Sequence, residues 1–145
     1  MAFDYRSGIE DVNVREMPDV VISPSQLPLP VTNVPSTTYT TKVVFNAITS
    51  VASGIETTIV SYTVPVGKKV LLHKSDMSGT NVSKFTMYLN GNPLSVQRVY
   101  YTEFNAKMDF SGLYLTGGDI LVLKVIHNMS SLGDFEANIQ IDEEN

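Results

Sequence analysis

From Thr41 onward the chain alternates apolar and polar residues with a period of two, the pattern of strands that bury one face and wet the other. Lys84 to Asn90 is the plainest case, with Phe85, Met87 and Leu89 directed inward and Thr86 and Tyr88 outward. The same pattern predicts strands over Thr41 to Ile48, Thr57 to Val64, Lys69 to Met77, Val96 to Phe104, Lys107 to Leu115 and Ile120 to His127. In the second of these, Val60, Tyr62 and Val64 share a face. A last strand places Phe135, Ala137, Ile139 and Ile141 inward, before an acidic tail from Asp142 to Asn145. Ile120 to His127 is apolar almost throughout, broken only by Lys124, which predicts a central strand.

Turn chemistry separates these runs. Pro65-Val66-Gly67-Lys68 puts proline where no N–H is needed and glycine where φ is free to turn positive. Asn90-Gly91 is the preferred pair for a two-residue hairpin, and Thr116-Gly117-Gly118-Asp119 is a further turn. Eight short strands at roughly ten-residue spacing, with no helix-period segment, predict an all-β fold, an antiparallel β-sandwich or barrel. Eight strands suit a jelly roll, although their number alone does not separate it from an immunoglobulin-like sandwich or a closed barrel.

Residues 1–40 follow no such period. Five of the seven prolines fall between Pro18 and Pro35. A short helical turn fits Val12 to Glu16, and Val20, Val21 and Ile22 make a brief extended run. Pro24, Pro28, Pro30 and Pro35 then hold the chain polyproline-like or as an edge strand. Leu27, Leu29, Val31 and Val34 are the apolar residues among them. The chain therefore reads as an extended N-terminal arm, residues 1–40, on a β-sandwich domain, residues 41–145. An arm that cannot build a core is stabilised by lying on something else, which predicts Leu27, Leu29, Val31 and Val34 as partner-binding residues on another subunit.

A net charge of −5 without a Lys/Arg cluster argues against nucleic acid as a partner and gives no support to an anionic membrane surface. There is no cysteine, so neither disulfide nor thiolate chemistry arises. Met1 to Gly8 is polar and acidic, unlike a signal peptide, and no apolar run is long enough to span a bilayer. The expectation is a protein made in a cytoplasm.

Candidate chemistry is sparse. His73 and His127 each belong to an apolar strand, where a structural role outweighs a ligand or base, and their spacing is not that of a zinc site. No Gly-x-Ser-x-Gly elbow occurs. A glycosidase carboxylate pair would have to come from Glu103, Asp109, Asp119 and Glu136, and a calcium site from Asp119 or Asp134, yet the ligand density of a calcium loop is missing. Gly117-Gly118-Asp119 lacks the Lys-Ser/Thr of a phosphate loop. No catalytic residue, metal or cofactor is expected. Tyr88, Tyr100, Tyr101 and Tyr114 remain as a candidate face, for a protein interface or alternatively for a glycan, the absence of tryptophan weighing against the glycan.

Ser61-Tyr-Thr-Val-Pro-Val-Gly-Lys-Lys69, then Phe85-Thr-Met-Tyr-Leu-Asn-Gly91 and Leu115-Thr-Gly-Gly-Asp119, resemble small jelly-roll domains of tailed-bacteriophage virions. The resemblance covers about Ser61 to Ile126, and the arm is similar only in composition. It implies a non-enzymatic structural protein of the virion, a capsid decoration or neck/tail accessory protein, synthesised in the host bacterial cytoplasm. Its partners would be other copies of itself and other virion proteins, neither nucleic acid nor membrane. The alternative from a different class is a glycan-binding β-sandwich module.

Overall fold

A computed structural model describes residues 36–101 and 104–145. The expected arm with Leu27, Leu29, Val31 and Val34, the turn at Val12 to Glu16, and Glu103 all lie outside the described residues. Eight strands run β1 (Tyr39–Val51), β2 (Thr57–Thr63), β3 (Lys69–Gly79), β4 (Ser83–Leu89), β5 (Asn92–Val99), β6 (Asn105–Thr116), β7 (Ile120–His127) and β8 (Gly133–Glu144). A first sheet has the order β1-β8-β3-β6 and a second the order β2-β7-β4-β5.

The pairing is nested. β4 meets β5 through the hairpin, β3 meets β6, β2 meets β7 and β1 meets β8, each antiparallel. A long hairpin folded over on itself gives this order, and it is the jelly-roll arrangement of two Greek keys. Its tip is Asn90-Gly91, with φ of 51° and 80°, the primed-turn geometry that asparagine and glycine tolerate.

Alternation along the strands decides the core. Val60, Val64, Leu72, Phe85, Met87, Leu115, Leu121, Leu123, Ile139 and Ile141 are among the buried side chains between the sheets. Phe85 and Met87 face inward as the pattern predicts, and Leu89 packs half-buried against the same cluster. Thr86, expected on the wet face, is only 4% exposed.

Three boundaries differ from expectation for physical reasons. β5 starts at Asn92 rather than Val96, because the two-residue turn obliges pairing to begin at once, and Pro93 is tolerated since β5 is an edge strand. Tyr100, Tyr101 and Phe104 then fall between β5 and β6, not at the end of a strand. β8 runs to Glu144, so most of the acidic tail is strand. Each of its acids has a partner: Asp142 accepts from Thr41 Oγ1 at 2.6 Å and meets His73 Nε2 at 2.8 Å, Glu143 meets Lys42 Nζ at 2.8 Å, and Glu144 meets Lys69 Nζ at 3.8 Å.

The edge strands β1 and β2 are tied by a side chain: Asn46 Nδ2 donates to the Ile59 carbonyl at 2.7 Å. A bulge between Thr58 and Val60 lets both Ile59 and Val60 turn inward.

Candidate functional site

In this topology all odd-to-even connections fall at one end of the sandwich and the three others at the opposite end, and the two ends are built differently. At the second end the turns are tight and bonded to one another. Val64 N donates to Asp119 O and Gly118 N to Val64 O, both at 2.9 Å. Asn90 Nδ2 donates to Asp119 Oδ1 at 2.7 Å, and Ile120 N to Asn90 Oδ1 at 2.8 Å. Thr116 N donates to Asp119 Oδ2 at 2.8 Å. The Thr116 amide and then Asn90 hold the Asp119 carboxyl below the usual carboxylate range. Asp119, a candidate for catalysis or calcium, is fully engaged in locking turns.

The first end gathers residues 52–56, 80–82, 100–101, 104 and 128–132. Buried His127 organises it. Its Nε2–H donates to the Val51 carbonyl at 2.8 Å, which leaves Nδ1 to accept from Asn81 Nδ2 at 3.4 Å. Asn81 Nδ2 also donates to Ser131 O at 3.2 Å, and Gly54 N to His127 O at 2.7 Å. Below, the Phe135 ring lies 5.5 Å from His127 and edge-on to Phe85 at 6.0 Å. Gly79 and Gly133 flank that ring so closely that a Cβ on either would collide with it. The structural reading of His127 thus holds, and its role is to brace loops.

On this braced base stand Ile55, Tyr100, Tyr101, Phe104 and Leu132, from 48% to 66% exposed. Tyr101 donates its hydroxyl to Met129 Sδ at 3.1 Å. Five large apolar side chains thus stand exposed on the loops of this one end, the apolar tip of the sandwich.

The four tyrosines are not brought onto one face. Tyr100 and Tyr101 belong to the tip. Tyr88 lies on the outer face of the second sheet, donating to Glu56 Oε1 at 2.8 Å beneath Lys124 Nζ, 4.9 Å from the ring centre. That bond raises the Tyr88 phenol and, with Lys124, lowers the Glu56 carboxyl. Tyr114 lies on the outer face of the first sheet, 3.3 Å from the Tyr39 hydroxyl, and their bond pushes the Tyr39 phenol up to about 12.

Nor do the remaining carboxylates converge. Asp109 pairs with Lys74, which pairs with Gln140, and Glu136 lies four residues along β8 from Gln140, about 13 Å away before any lateral offset. A glycosidase pair needs roughly 5–9.5 Å. Asp109 accepts from Ser111 N at 2.9 Å where β6 bulges, Glu136 from Ser78 Oγ at 2.8 Å, and Asp134 from Ser50 N at 2.9 Å. His73 meets Asp142. Among the described residues no group of three His, Cys, Asp or Glu side chains is placed to hold a metal.

No family model matches the chain, and no curated protein matches it. Among solved structures it is similar to a chain from the cyanophage Pam1 capsid asymmetric unit, at 13% identity and a TM-score of 0.40, over 80% of this chain and 99% of that one.

Sequence reasoning found Tyr100 and Tyr101 but not their companions. Ile55 and Leu132 sit in short polar connections, and Phe104 reads as the end of a strand. The missing step was topological: once the order is a jelly roll, these three connections must share an end.

Proposed function

We propose that this chain is a non-enzymatic structural protein of a tailed-bacteriophage virion, a capsid decoration or neck/tail accessory protein that docks on other virion proteins. The observation that carries the docking reading is the apolar tip, Ile55, Tyr100, Tyr101, Phe104 and Leu132, exposed on loops braced by His127 and Asn81. A patch of this kind serves adhesion to protein better than it serves chemistry, because its five side chains are aliphatic or aromatic, with no carboxylate, imidazole or amine among them. The virion assignment draws on the likeness of Ser61 to Lys69 and Phe85 to Gly91 to small jelly-roll domains of phage virions. The fold alone is neutral, as jelly rolls also serve lectins and cupins.

In this reading the arm contributes Leu27, Leu29, Val31 and Val34 to grooves or sheet edges of a neighbouring virion protein, and the tip supplies a second contact. Two linked contacts raise avidity without either being strong. The test is rebinding of purified protein to particles that lack it. Tyr101→Asp with Leu132→Asp should weaken rebinding about tenfold or more, with an unchanged thermal melt. Full rebinding by that variant, together with hits on a glycan array lost through Tyr100→Ala, would instead support a glycan-binding module.

A further inference from the structure

The outer face of the second sheet is unlike an ordinary wet face. Its central strand β7 is apolar on both sides: Leu121, Leu123 and Val125 are fully buried inward, while Ile120, Val122 and Ile126 point outward with Lys124 as the sole polar interruption. Val96 on β5, 51% exposed, extends the apolar surface across Thr86. Strands that read apolar on both faces are those covered on both faces.

Charge on the same face is a cationic excess, Lys84, Arg98 and Lys124 against Glu56. Lys84 stands directly opposite Arg98 across β4 and β5, beside Ile126, and neither has an ion-pair partner among the described residues. Like charges in facing positions destabilise an antiparallel pair. Lys124 is matched by Glu56 at 3.4 Å. An anionic surface laid on this face would relieve the Lys84–Arg98 repulsion.

The outer face of the first sheet offers such a surface. There Asp76, Asp109, Glu136, Asp142 and Glu144 outnumber Lys69, Lys74 and Lys107; Asp76 shares Lys74 at 3.2 Å, while Asp109 and Glu136 lack an ion-pair partner among the described residues. Along its rim Val43 and Phe45 on β1 are about 60% exposed. Each face thus carries an apolar strip and a charge excess, of opposite sign.

We infer that the outer face of the second sheet of one copy packs on the outer face of the first sheet of the next, Lys84 and Arg98 meeting Asp76 and Glu136. This deepens the assembly reading by naming one partner, a second copy. Because the two patches differ, the contact is head-to-tail and extends from copy to copy, closing as a ring only where the rotation permits.

A charge-swap experiment on the full chain tests it by sedimentation velocity at low salt. The wild type should self-associate, more weakly as salt rises. Lys84→Glu with Arg98→Glu makes both faces acidic, and Asp76→Lys with Glu136→Lys makes both basic. Each variant alone should lose association by about tenfold or more, and an equimolar mixture should regain it. Should a charge reversal fail to fold, Lys84→Gln with Arg98→Gln must still weaken association. A monomeric wild type, association untouched by the substitutions, or a mixture no better than its parts overturns the inference. So does a monomer that binds a uronic-acid polysaccharide through Lys84 and Arg98. None of these outcomes bears on docking through the tip, which the particle assay reads separately.

Discussion

Tyr62 on β2 donates its hydroxyl to Glu143 Oε2 on β8 at 3.2 Å, a polar bridge between the two sheets. Lys42 closes the group from β1 at 2.8 Å. Lys42 is the main cause that holds the Glu143 carboxyl below its ordinary range, with Tyr62 adding to it. Burial, and then Glu143, push the Tyr62 phenol up to about 12.

A carboxyl depressed by folding stabilises the folded state above its unfolded pKa, near 4.3, and that contribution fades as pH falls through the lower folded value. Glu143→Gln should therefore cost about 1–2 kcal/mol at neutral pH, discounted because Lys42 is nearly half exposed. The variant and wild type should converge at pH well below the ordinary carboxylate range, where Glu143 is protonated in both states. Tyr62 works in the opposite direction: its raised phenol means stability present below about pH 10 falls as pH rises toward 12. Urea melts across pH check both limbs. A constant difference between Glu143→Gln and wild type down to low pH would mean the carboxylate charge contributes nothing.

Phe85→Ala should destabilise by roughly 3–5 kcal/mol, because the ring is fully buried and meets Phe135 edge-on. Tyr88→Ala, on the outer face of the same strand, should stay within about 1 kcal/mol in the isolated protein. Chemical denaturation of the two variants is sufficient, and equal costs would mean that both faces of β4 are covered in solution.

Gly79→Ala should cost about 1–3 kcal/mol by overpacking, since the new methyl would press on the Phe135 ring. Phe135→Leu in the same chain should recover part of that loss by vacating the ring edge. A double variant no more stable than the sum of its single losses would show that some other neighbour opposes the methyl.

Much of this was written in the chain. Phe85, Met87, Ile139 and Ile141 announce their inward face by period alone, and Asn90-Gly91 fixes the register of the central hairpin. What could not be read is long-range. Glu143 looks like tail because its partners, Lys42 and Tyr62, lie on strands 101 and 81 positions upstream. Phe104 reads as the end of a strand from Val96, and the obligatory start of β5 at Asn92 moves it into a connection. Tyr88 and Tyr114 look alike in sequence and are separated by the thickness of the sandwich because β4 and β6 belong to different sheets.

The last expectation separates the two kinds of contact proposed for this protein. Leu27, Leu29, Val31 and Val34 are apolar anchors on a proline-stiffened segment, and each one buried in a groove contributes about 1.5–3 kcal/mol before ordering costs. Proline lowers those costs by restricting the free segment. Attachment to particles should then resist salt, because apolar burial is not screened. Contact between copies through Lys84 and Arg98 should yield to it as the Debye length shrinks below 10 Å. Raising salt to about 0.5 M should dissociate copies in solution while leaving the protein on particles. Leu27→Asp with Leu29→Asp should do the reverse, releasing it from particles while self-association persists. Removing residues 1–35, which stops short of β1 at Tyr39, should leave a cooperative thermal melt and abolish particle binding. If salt strips the protein from particles and the leucine substitutions do not, the acids between Asp4 and Asp19 are the anchor and the proline-rich stretch is a spacer.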